Sequence, residues 1–277
     1  MPVLTLHLLT LVHNTDVQTF LYKLKQLQTT KIILASRPRH VVIYPTILDA
    51  NPLATQKWDL MLLLQRNDTA AGDPIPQALR ALIQKSYDIT TGIPSKLLSS
   101  YSSRDAILKR ETSSVPLTGA LDRLLKSGSK TTSQNLEVSP QLLDFRSELS
   151  KSHDGPVTML NLLHFHQPNG KKSYYEYGQA FIPVAGKRGG SAKLVGNVVN
   201  PEGEPKNGSH EQKGSAPDDW WNEISIVHYP SISHFCDMLA GEDYQAINEK
   251  YRLSALRDTF LLCTTEFDIE DIGNAKL

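Results

Sequence analysis

Glu223, Asn161 and His7 are the residues of this sequence whose types and placement could move a proton. Glu223 sits in Trp221-Asn222-Glu223-Ile224-Ser225-Ile226-Val227-His228, a stretch that alternates like a strand. A carboxylate there is unusual, because burying it is costly unless it is paired or protonated. Burial would raise its pKa and suit it to work as a general base or acid. Alternation gives one face to Ile224 and Ile226, which suit packing against helices. It gives the other, enclosed face to Trp221, Glu223, Ser225 and Val227. In the strand Val157–Phe165, Met159 and Asn161 share a face, so Asn161 can act as an orienting amide beside Glu223. His7 enters through an internal repeat as a second acid or base. Trp221, Ser225, Met159, Tyr177 and Arg252 are the candidate substrate contacts. The competing reading is structural: a buried polar patch, a Glu223–Arg252 pair, and tyrosines that simply pack.

Other chemistries have weaker support. His164, His166 and His228 could gather at one sheet edge as metal ligands, but all three precede turn signals, where polar residues are expected anyway. No metal and no cofactor is assigned. Gly186–Gly190 lacks the spacing of a phosphate loop, and no Gly-x-Ser-x-Gly occurs. The 29 basic and 29 acidic residues cancel, which removes the charge footprint of a general nucleic-acid binder. Two cysteines cannot build a disulfide framework. The apolar start, Met1–His13, lacks a basic region and a cleavage site and is too short to span a bilayer. It reads as a buried strand, and the expected location is the cytoplasm, without membrane contact. The sequons Asn67-Asp68-Thr69 and Asn207-Gly208-Ser209 are then chance matches.

The elements that must hold these residues follow from the repeat. Pro2–Leu9 aligns with Pro156–Leu163, and Trp58–Gln65 with Trp221–His228, in the same order. The alignment puts His7 on Asn161 and Leu60 on Glu223. Each half opens with a strand (Val3–Val12; Val157–Phe165) and continues with a helix (Asp16–Leu27; Ser173–Lys187). A second strand (His40–Tyr44; Ala192–Val198), the Trp-led third strand and a second helix follow. That helix is Pro76–Tyr87 in the first half. In the second it starts at Ser231 or Ser233, breaks at Gly241 and runs to about Leu256. The strand Phe260–Phe267 closes the second half; Ile107–Leu108 and Val115–Leu117 are the candidates for its counterpart. The order is βαββαβ. The expected organisation is a ferredoxin-like unit over residues 1–98, a linker with short helices over 99–152, and a second unit over 153–277. Asn200–Asp219 reads as a polar surface loop or lid.

The second half resembles a widespread family of uncharacterised domains in the dimeric α+β-barrel superfamily. The resemblance rests on Gly155–Leu163, Ser173-Tyr174 with Tyr177-Gly178, Gly189-Gly190, Trp221-Asn222-Glu223 and Tyr229-Pro230-Ser231. It continues through Glu242–Ala246 and Tyr251-Arg252 with Ala255-Leu256. It implies two ferredoxin-like βαββαβ units forming an intramolecular dimeric α+β barrel, and a monomer with internal pseudo-two-fold symmetry. The implied pocket lies under the helices or toward the barrel interior. The expected function is a cofactor-independent enzyme on a small, largely apolar organic molecule: proton transfer, cyclisation, decarboxylation or oxygenation of a polyketide-like or aromatic compound. The alternative is a non-catalytic small-molecule binder or degenerate duplicated domain.

Overall fold

The computed structural model describes residues 1–67, 73–127, 135–199 and 220–272. The loop at 200–219 and all or part of both sequons lie outside the described residues. Eight strands form the frame: β1 (Val3–Leu11), β2 (Thr30–Ile43), β3 (Leu60–Arg66), β4 (Ile83–Gly92), β5 (Val157–Phe165), β6 (Ser191–Val198), β7 (Glu223–Tyr229) and β8 (Leu256–Glu266). They close into one antiparallel barrel in the order β1-β3-β2-β8-β5-β7-β6-β4.

This corrects the expectation of two ferredoxin-like units joined as a dimeric α+β barrel, and with it the tandem repeat as a fold assignment. The halves do not end in free sheet edges. β2 hydrogen-bonds along β8, from Ser36 opposite Glu266 to Ile43 opposite Leu261, and β4 meets β6 at Thr91–Gly92. Among the described residues the first half also lacks the second helix of a βαββαβ unit. Where Pro76–Tyr87 was expected to be helical, only α3 (Gln77–Arg80) forms, and Ile83–Gly92 is needed as β4 to pair with β1. An extra short helix, α2 (Ala50–Thr55), intervenes between β2 and β3. Ile107–Leu108 belongs to helix α5 (Tyr101–Glu111), which follows the short α4 (Ser95–Ser99).

The barrel interior is a packed core. Leu4, Leu6 and Leu8 of β1, Leu63 of β3, Leu160 and Leu162 of β5, and Ile224 and Ile226 of β7 meet there, all essentially inaccessible. Each such side chain contributes about 1.5–3 kcal/mol by leaving water. Trp58, Tyr87, Trp220 and Trp221 close one end, where the Trp221 Nε1 donates to the Tyr87 hydroxyl at 2.8 Å. At the other end Lys193 is 1% exposed and bonds Asp105 of α5 and Glu266 of β8.

Both outer faces of the barrel are also apolar. On the first half, α1 (Val17–Lys25) covers Leu9, Leu62 and Leu64 with Phe20, Leu21 and Leu24. Asp16 caps this helix, accepting from the Thr19 N–H at 2.8 Å. The second half is covered by α6 (Ala120–Ser127), α7 (Pro140–Leu149), α8 (Gly170–Gly186), α9 (Ile232–Leu239) and α10 (Glu242–Ile247). Gly241 separates the last two, and a π-helical turn, Asn248–Arg252, follows α10. Among the described residues no helix is long and apolar enough to cross a membrane.

Candidate functional site

A cavity of about 670 Å³ lies between the outer face of β5–β6–β7 and the helices α8–α10. That size suits a small organic ligand. Alternation along the strands selects which side chains reach it. Glu223, Ser225 and Val227 of β7 and Met159 and Asn161 of β5 face the cavity, whereas Ile224, Ile226, Leu160 and Leu162 face the barrel interior. The parity of Glu223 is therefore as expected but its side of the sheet is not: it lies beneath helices, not inside the barrel. The barrel interior is packed with aliphatic and aromatic side chains.

Asn161 and Ser225 are directly paired across β5 and β7, and Glu223 is the next residue on the same face. The Asn161 amide nitrogen lies 3.4 Å from the carbonyl oxygens of both Met159 and Ser225. Burial pushes the Glu223 carboxyl up to about 7, partly offset by the positive charge of Lys171 on α8. Lys171 itself donates to Asn197 at 2.7 Å, and Asn197 is the register partner of Glu223 on β6. Among the described residues no hydrogen bond or ion pair reaches the Glu223 carboxylate. The Glu223–Arg252 pair weighed from sequence does not form.

The helical wall is aromatic. Tilted ring contacts join Phe165 to Tyr174 at 5.3 Å, Tyr174 to Tyr177 at 5.2 Å, and Tyr177 to Phe181 at 5.7 Å. On α8 the spacing is i, i+3 and i+7, which puts Tyr174, Tyr177 and Phe181 on one face. Tyr177 and Tyr244 share a hydroxyl contact at 3.3 Å, and burial raises both phenols above their ordinary range. Arg252, the last residue of the π-helical turn, is 2% exposed and also lines the cavity. Helical irregularities of this kind recur at functional sites.

Two expected members lie elsewhere. His7 faces the first half's outer surface, 1% exposed, with Nδ1 2.6 Å from Asp88 Oδ1. It shares the parity of Leu9, which packs under α1, so the body of the barrel separates it from Glu223 and Asn161. Asp88 is not legible as the partner of His7 in the sequence, because the expected helix Pro76–Tyr87 hides the strand Ile83–Gly92 that carries it. Trp221 precedes β7 and turns into the barrel end, bonded to Tyr87. The three histidines do not gather either. β5 and β7 are antiparallel, so His228 pairs with Thr158 at one end of β5 while His164 lies near the other, about 20 Å along the strand. The His164 Nδ1 instead meets the Trp220 carbonyl at 2.7 Å. Among the described residues no cluster of three or more metal-ligating side chains occurs.

Gly178 offers a direct probe of the cavity. It lies on α8 in the cavity wall, and a Cβ there would meet nothing within 4 Å. Gly178→Ala is expected to stabilise α8 by about 0.5–1 kcal/mol. Gly178→Leu should retain the fold and shut the cavity. Thermal melts together with loss of binding of a hydrophobic dye would check this; undiminished dye binding by Gly178→Leu would refute it.

No family model matches the chain, and no curated protein matches it. Among solved structures, it is similar to the methylated RPA0582 protein at 21% identity and a TM-score of 0.35, over 48% of this chain and 94% of that one. A second structure, the RPA0582 protein of unknown function from Rhodopseudomonas palustris, gives 21% identity and a TM-score of 0.33, over 48% and 96%.

Proposed function

We propose that this protein is a cofactor-independent enzyme that transfers a proton on a small, largely apolar organic molecule, with Glu223 as the general base. One observation carries the reading: the Glu223 carboxylate is half-buried at the wall of a ligand-sized cavity, has no bonding partner among the described residues, and is pushed up by burial to about 7. A base poised near neutrality combines a useful ionised fraction with real proton affinity. A carboxylate held only for stability would be paired.

In this reading the apolar body of the substrate rests against Met159, Val227 and the aromatic wall of α8. Asn161 and Ser225 orient its polar atoms beside Glu223, which removes a proton from an acidic C–H and returns it at the neighbouring position or drives ring closure. Trp221 and His7 have no part in it. The reading takes the chain as a monomer, supported by a barrel that closes without a second copy. We place it in the cytoplasm, where the free thiols of Cys236 and Cys263, near enough to influence one another, stay reduced.

The test is a pH–rate profile on substrates found by screening aromatic and alicyclic compounds with acidic C–H bonds. kcat/KM should rise with pH through about 7 as Glu223 loses its proton. A profile flat across this range would reject Glu223 as the base.

A further inference from the structure

We infer that the cavity takes a monocarboxylate with a flat, ring-based body, its carboxylate held by Arg252. The inference rests on the proposed function only in assigning the same cavity to the substrate, and names the substrate's charge and class. Arg252 is 2% exposed and lines the cavity. Its Nη2 has no hydrogen-bond partner, and among the described residues no carboxylate pairs with it. Other buried cations here are matched: Arg188 bonds Asp243, and Lys193 bonds Asp105 and Glu266. A buried, uncompensated guanidinium is costly, and a bound anion relieves that cost.

Three features narrow the anion. Arg252 is one planar fork of donors, which matches a carboxylate bidentately. The other cations of the cavity wall are already engaged: Lys171 by Asn197 and Arg104 by the Ala192 carbonyl at 3.1 Å. A single charge is thus matched better than a phosphate dianion. Tyr174 lines the same cavity as Arg252 and Glu223 and feels the charges of both. Tyr177 lines the cavity beside it, and the two rings supply aromatic surface to the body of the ligand.

Calorimetric titration with 2-naphthoate and its neutral isostere 2-naphthamide, near pH 6, reads the charge directly. The wild-type protein should bind naphthoate at least about tenfold more tightly than the amide. Arg252→Gln should erase that preference while leaving amide affinity within about twofold; Arg252→Lys should keep part of it. Should Arg252→Gln fail to fold by circular dichroism, the comparison of wild type with Arg252→Lys decides. Glu223→Gln should keep the preference, so a failed base assignment leaves this result standing. Equal affinity of wild type for the two probes, no binding of either, or a preference that survives Arg252→Gln or is lost in Lys171→Gln would overturn the inference.

Discussion

Glu223→Gln is expected to lower turnover by about 10²–10⁴ and, in the same variant, to make the protein more stable at pH 8. The two effects have one cause. The carboxyl titrates at about 7 in the folded chain against an ordinary value of 4.5. Between these values the folded state holds a proton that the unfolded state releases. Folding stability is therefore unpenalised below about 4.5, falls as pH rises, and reaches its full deficit above about 7. That deficit is on the order of 3 kcal/mol. Glutamine keeps the shape and cannot ionise, so urea denaturation should show the variant gaining on wild type with increasing pH, with the two converging below pH 5. Parallel stability curves would show that the carboxylate is not desolvated, and the catalytic assignment would fall with it.

The second large effect is expected at the opposite end of the barrel. Lys193 on β6 bonds Asp105 and Glu266, and Lys109 of α5 bonds the same two carboxylates, at 2.6 Å and 2.8 Å. Lys193→Met leaves Glu266 buried with half of its compensation gone. The loss should be about 3–5 kcal/mol, the range for breaking a buried pair from one side. Burial alone would raise the Glu266 carboxyl, but Lys193 and Lys109 outweigh it and hold it at about 2. A depressed carboxyl contributes stability that is complete above its ordinary 4.5 and is lost as pH falls toward 2. Wild type should therefore weaken below about pH 4.5, and Lys193→Met should weaken less steeply there. Equal acid sensitivity in the two proteins would show that the network is not what holds α5 to the barrel.

What the sequence made legible, and what it hid, follow from the same feature of this fold. Period-two alternation groups Glu223 with Ser225 and Val227, and Met159 with Asn161, as the structure does, because alternation is a property of one strand; it fails for Trp221, which lies before β7 begins. It could not say which group faces the helices, because every residue of β5 is buried and both environments are apolar. Assigning Ile224 and Ile226 to the helices was a choice between two greasy faces, and the barrel interior claimed them. β4 was lost differently. Ile83-Gln84-Lys85-Ser86-Tyr87-Asp88 carries too many exposed polar residues to resemble a core strand, and only its pairing with β1 reveals it. With β4 missing, His7 had no visible partner and was drawn to Asn161 by alignment, when Asp88 already held it. Arg252 was legible as a candidate contact. Its lack of a counter-charge was not, because that depends on which carboxylates fold nearby.

The segregation of the aromatic residues gives the molecule two separate optical reporters. All three tryptophans, Trp58, Trp220 and Trp221, belong to the barrel interior, and none lines the cavity. The aromatic residues of the cavity wall are tyrosines, among them Tyr174, Tyr177, Tyr229 and Tyr244, and phenylalanines. Indole emission, excited selectively at the red edge, therefore follows the integrity of the barrel alone. Five of the ten tyrosines line the cavity, so tyrosine difference absorbance includes events under α8. A ligand that perturbs the phenol bands while leaving indole emission fixed has entered the cavity without disturbing the frame.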